Sequence, residues 1–287
     1  MRPAGVGRAL ARPPRAAGRR LRLRLRLRLR LRLRLRLRLR LRLRLPLLLA
    51  AAIGMLAAVP LRAQPLAPRA LPALGLTGAL PSAADLARPF PDSLPARIRT
   101  ADSPTAADSR LVELIDCRDW LAQRRSVVGS DSDASWRVLR LQVVPCEAMA
   151  LLVAASPALH SALPVRFAQE LVTARYPVGL WLAPSRDEQA RLARPGSTLA
   201  TASGKARWQG LAPDGLKLNA KGWQIQLTLL ARGDFDHDGW EDAAFLWQAA
   251  SSPGSLTDAR LVVLTRQAGS AALLELPVDG LLPAPGR

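Results

Sequence analysis

Beyond residue 204 the chain alternates short apolar runs with turn-forming residues. Arg207–Gln209, Leu216–Leu218, Gly222–Leu230, Ala243–Gln248, Leu261–Arg266 and Leu273–Leu276 read as strands. Pro213-Asp214-Gly215, Asn219 to Gly222, an acidic stretch, Pro253-Gly254 and Gly269-Ser270 separate them. In the third run Ile225, Leu227 and Leu229 recur at every second residue, which places them on one face of a strand. Six strands in succession with short connections imply an antiparallel meander.

Upstream the apolar spacing is longer. Leu111, Leu114, Ile115 and Cys117 to Leu121 predict an amphipathic helix, and Glu147–Ala154 and Val165–Tyr176 also read as helical. Ser185-Arg186-Asp187-Glu188 matches a capping box, with Glu188 able to return a bond to the Ser185 backbone, for a helix that stops before Pro195-Gly196. Trp136 to Pro145 reads as a strand, with Trp136, Leu139 and Val143 among its apolar residues. The expected fold class is therefore α+β. N-terminal helices would pack on a C-terminal antiparallel β-meander, within one folded domain over 109–287 that is long enough to bury a core.

Composition changes the picture at the N-terminus. The 287 residues carry a formal net charge of +20, which suggests a nucleic-acid binder until the charge is located. Residues 1–45 hold 18 arginines and no acid, so subtracting 18 from +20 leaves +2 for the remainder. A near-neutral remainder excludes a general electrostatic pull on nucleic acid. Most of those arginines alternate with leucine from Leu21 to Leu45, and residues 1–44 read as a low-complexity leader. From Leu45 to Val59 no residue is charged, and Leu61-Arg62-Ala63 precedes Gln64. The layout of 45–63 is that of a signal peptide, apolar run and cleavage site included. Left uncleaved, that leader would be the only route to a membrane. The expected location is periplasmic or secreted.

Residues 64–108 hold eight prolines, a density that predicts a linker. Two cysteines follow, Cys117 and Cys146. An even count in an exported chain predicts one disulfide, and neither cysteine sits in a nucleophile motif.

The candidate chemistry lies in the acidic stretch, Gly233-Asp234-Phe235-Asp236-His237-Asp238-Gly239-Trp240-Glu241-Asp242-Ala243. Carboxylates at every second residue place oxygens on the concave side of a curled loop, and calcium takes six to eight such hard oxygens. Gly239 permits the sharp turn after the third aspartate. Four aspartates this close repel one another unless something neutralises them, and only Arg232 flanks them. The twelfth position of an EF-hand is glutamate, whereas here it is Phe245. The pattern D-x-D-x-D-G-x-x-D with strands on both sides instead resembles the calcium loops of FG-GAP and VCBS-type repeats. That resemblance covers about a dozen residues and one copy, so it supports the loop and argues against a propeller. It implies Asp234, Asp236, Asp238, Asp242 and the Trp240 backbone carbonyl as ligands of a Ca2+ ion, with Phe235 pointing into the core.

Other candidates carry less. His237 and Glu241 are the loop residues left for acid–base work, and no Gly-x-Ser-x-Gly accompanies either histidine. Arg232-Gly233-Asp234 spells an integrin-binding tripeptide whose aspartate the metal would claim. Trp208, Trp223, Trp240 and Trp247 either stack carbohydrate or fill the core. The functional expectation is an exported, non-enzymatic binding or envelope-associated domain with one structural calcium loop. Its partner would be a protein or glycan of the cell envelope. The alternatives are a metal-assisted hydrolase of an envelope polymer, with Glu241 or His237 as acid or base, and a secreted enzyme inhibitor.

Overall fold

The computed structural model describes residues 64–76, 79–99, 109–183, 185–211, 214–251, 255–270 and 272–283. The leader expected at 1–44 and the signal segment expected at 45–63 lie outside the described residues.

Six strands form the meander: β5 (Trp208–Leu211), β6 (Gly215–Ala220), β7 (Trp223–Gly233), β8 (Asp242–Ser251), β9 (Ser255–Thr265) and β10 (Leu274–Leu276). Each pairs antiparallel with the next. A short β1 (Arg69–Ala70) extends the sheet by pairing with β7 at Arg232 and Ala231, past the end of β6. A second sheet of three strands has the order β3-β2-β4, from β2 (Pro89–Arg99), β3 (Ser109–Asp116) and β4 (Val127–Gly129). The helices are α1 (Cys117–Gln123), α2 (Asp133–Ala154), α3 (Arg186–Leu192), α4 (Leu199–Ser203) and α5 (Val278–Leu281).

The expected α+β class is overturned. The protein is mainly β, with two sheets and few helices. Residues 109–116, read as the start of a helix, are a strand, because Ser109 to Leu114 find ladder partners along β2. Residues 165–176, also read as helical, fold as an irregular segment with two 3-10 turns. Within the stretch read as a linker, residues 89–99 form β2, which carries Pro89, Pro91 and Pro95 and buries Leu94, Ala96 and Ile98 on one face. Proline removes a donor, but it leaves a carbonyl, and that of Pro95 accepts the Ser130 hydroxyl.

The strand expected at 136–145 is part of α2. Ser132 caps that helix by accepting the Ser135 N–H, 3.1 Å away. Leu139, Val143, Cys146 and Ala150 recur at helical spacing and are buried, while Pro145 sits within the helix. At α3 the Ser185 hydroxyl accepts the Glu188 N–H at 3.2 Å. The Glu188 carboxylate turns instead to Trp181 Nε1 and Arg191, so the cap is half of the expected box.

Both faces of the large sheet are covered. On one, α2 packs Val143, Ala150 and Leu151 with Leu230, Ala244, Leu261 and Val263. On the other, Phe167, Tyr176, Leu180 and Leu199 cover Ile225, Leu227, Phe245, Trp247 and Val262. Phe167 meets Phe245 edge-on at 4.8 Å, and Trp247 Nε1 donates to the Leu180 carbonyl at 2.9 Å. Each such fully buried large side chain contributes about 1.5–3 kcal/mol. The disulfide Cys117–Cys146 joins the start of α1 to α2, with Cα atoms 5.2 Å apart.

Candidate metal site

The acidic stretch is the loop of the β7–β8 hairpin. Gly233 and Asp242 are the last paired residues, and 234–241 connect them. The loop turns back by way of two residues in the left-handed region, His237 (φ 63°) and Gly239 (φ 87°). Glycine meets no Cβ penalty there, and histidine is among the residues that tolerate it. Phe235 is 4% exposed and belongs to the core on the α2 face, as the resemblance implied.

Carboxylate oxygens of Asp234, Asp236 and Asp242 lie within 4.8 Å of one another, a group that could hold a metal ion. Backbone amides fix them. Asp234 accepts from Asp238 N at 3.1 Å and from Gly239 N at 3.0 Å. Asp236 accepts from Asp238 N at 3.2 Å, and Asp242 Oδ2 from Phe235 N at 2.9 Å. The structure thus brings together three of the four aspartates named from sequence. Asp238 is not one of the three; its Oδ1 accepts the Trp240 N–H at 2.7 Å. Trp240 lays its indole against His160, ring centroids 5.0 Å apart.

Electrostatics single out Asp242. It is fully buried, and its Oδ1 has no hydrogen-bond partner among the described residues. Burial pushes its carboxyl up to about 7, with Asp236 and Asp238 adding to the rise. The Phe235 N–H and the nearby Thr265 hydroxyl pull the other way, though among the described residues neither that hydroxyl nor Asp242 Oδ1 has a partner within hydrogen-bond distance. Burial also raises Asp236, reinforced by Asp238 and Asp234.

The flanking cations do not relieve this. Arg232 Nη1 reaches Glu241 Oε2 at 3.2 Å with both side chains buried, and Arg69 reaches Glu241 Oε1 at 3.3 Å. Arg232 also donates to the carbonyls of Pro164 and Val165. Ser161 donates its hydroxyl to Glu241 at 2.7 Å. Glu241, read from sequence as left for acid–base work, is instead the buried centre of an ion-pair network. Of its partners only Arg232, on β7, is local to the loop; Arg69 lies on β1 and Ser161 on the segment after α2. His237 Nδ1 shares a hydrogen bond with Ser156 Oγ at 2.9 Å. Arg232 and Asp234 are each 3% exposed, which withdraws the integrin-type tripeptide from any partner. Trp208 and Trp247 are core residues on the face away from α2, not a stacking platform.

No family model, curated protein or solved structure matches this chain.

Proposed function

We propose that the chain is an exported, non-enzymatic binding or envelope-associated domain whose β7–β8 hairpin is closed by a structural Ca2+ ion. One observation carries the metal: three carboxylates converge at a site where Asp242 is fully buried with an unpartnered oxygen, and both neighbouring arginines are committed to Glu241. A cation supplies the missing charge. Calcium suits the all-oxygen donor set and the pliable loop, whereas magnesium keeps more of its waters and zinc recruits nitrogen or sulfur. The disulfide is consistent with an oxidising compartment. The non-enzymatic reading draws on Glu241 and His237, the loop's acid–base candidates, both being held by neighbouring side chains.

Thermal unfolding of the full chain tests the metal. EDTA should lower the melting temperature and calcium restore it. Calcium at a hundredfold above its dissociation constant adds about 2.7 kcal/mol. Asp234→Asn should abolish the response. An unchanged melting temperature on chelation removes the metal, and restoration by magnesium at equal concentration removes the assignment to calcium.

A further inference from the structure

A second polar feature lies on the α2 side of the large sheet, apart from the hairpin loop. A cleft of about 610 Å3 opens there, lined from α2, β9 and the β10–α5 segment, and that volume falls within the range of small-ligand sites. Arg124, Arg140 and Arg260 line it against Glu147, Glu275 and Asp279. Cations and acids are equal in number, so net charge draws neither an anion nor a cation into the cleft.

Much of that charge is already paired within the walls. Arg260 Nη1 donates to Glu275 Oε1 at 2.7 Å, and Arg124 Nη1 to Asp279 Oδ1 at 2.7 Å. Arg124 Nε and Nη2 are enclosed by protein and offer a ligand nothing. The groups left open are neighbours of opposite hydrogen-bonding sense. Arg140 gives Nε to the Ala259 carbonyl at 2.9 Å, and its two Nη nitrogens have no partner among the described residues, on a side chain 20% exposed. Asp279 is 85% exposed, with Oδ2 free of Arg124. Glu147 is only 8% exposed, and its Oε1 accepts from Trp120 Nε1 at 3.1 Å, while Oε2 has no partner among the described residues. A buried oxygen left unpaired on a cleft wall calls for a partner from the cleft. Burial raises the Glu147 carboxyl above the usual range, against the pull of Arg140, Trp120 and Arg124, and a carboxyl that keeps its proton donates as well as accepts.

We propose that this cleft binds a neutral, hydroxyl-rich ligand, a glycan whose hydroxyls accept from Arg140 and donate to Asp279 and Glu147. A hydroxyl carries one donor and two acceptor lone pairs on a single atom, so adjacent hydroxyls satisfy a guanidinium and a carboxylate side by side without adding charge. An apolar ligand would leave the same groups unpaired, at a cost in affinity. The proposal rests on the binding-domain reading above and names its partner class. The metal loop takes no part in it.

Isothermal titration of the full chain tests this, with maltotetraose, cellotetraose and chitotetraose as neutral probes and inorganic phosphate and spermidine as charged controls. Saturable heat is expected with at least one of the sugars and with neither control. Arg140→Gln and Asp279→Ala should each weaken that sugar about tenfold, the loss of one charge-assisted contact. Both side chains reach solvent, so the variants should keep the native melting temperature. Saturable heat with phosphate or spermidine, none with any of the sugars at millimolar concentration, or an affinity unchanged in both variants overturns the proposal. Failure of the sugars leaves the binding domain standing with a protein partner. Sugar recovered in shorter pieces, read by mass spectrometry, keeps the site and removes the non-enzymatic reading instead.

Discussion

Replacing Asp242 with asparagine should stabilise the chelated protein while destroying its response to calcium. In metal-free protein the Asp242 carboxyl titrates at about 7 when folded, against an ordinary value of 3.8 when unfolded. That gap is worth about 4 kcal/mol. The sign follows from proton counting. Between those two values the folded state holds a proton that the unfolded state has released, so stability is complete below pH 4. It falls as pH rises and is lost in full above pH 7. Asparagine has no such proton. Its carbonyl can still accept the Phe235 N–H, and its amide can face the unpartnered Thr265 hydroxyl. Urea unfolding in EDTA should therefore find the variant more stable than the native chain at pH 7.5, by up to about 4 kcal/mol. The advantage should vanish toward pH 4. With calcium the native chain recovers and the variant does not. A variant less stable than native in EDTA at pH 7.5 would refute the reasoning. So would a variant that responds to calcium as the native chain does.

Glu241→Gln should destabilise the protein by about 3–5 kcal/mol, because it leaves Arg232 buried without its counter-charge. Calcium affinity should change little, which comparing melting shifts with and without calcium will show. Reducing the Cys117–Cys146 bridge, or replacing both cysteines with alanine, should cost about 3–4 kcal/mol in the chain-entropy account, read as a lower urea midpoint.

The strands after residue 204 were legible because glycine, proline or asparagine marks most of the turns between them and apolar residues alternate along β7. Upstream, local signals misled. Val138, Val143 and Val144 favour strand and Pro145 disfavours a helix interior, yet Leu139, Val143, Cys146 and Ala150 lie on one helical face that the large sheet buries. Tertiary burial outweighed propensity there. The prolines of β2 were read as linker because a sequence cannot reveal that β3 and β4 will flank them. At the site, the aspartate spacing was legible because its chemistry is local. The fate of Glu241 was not, since Arg69 and Ser161 reach it from distant parts of the chain.

The loop's position explains why a cation there would matter beyond one hairpin. After α2 the chain leaves one face of the large sheet and crosses to the other, where Leu163 and Phe167 enter the second core. The crossing is fastened to the loop at several points. Ser156 and Asp234 exchange backbone hydrogen bonds, Leu159 and His160 donate to the Gly239 carbonyl, and Glu241 donates to that of His160. On its far side the crossing also holds Leu66, through paired bonds with Ala158. Asp234 thus belongs to the carboxylate group and to the crossing at once, and Phe235, the next residue, anchors the α2-side core. An ion on Asp234, Asp236 and Asp242 would lock the turn against which both the crossing and the N-terminal segment are registered. Chelation should therefore loosen residues 156–165 and 64–70 along with the loop. In hydrogen exchange those segments should lose protection together, while the middle of β9, Ala259–Val262, which pairs with β8 away from the loop, keeps its own. Loss confined to 234–241 would reduce the ion's role to the hairpin alone.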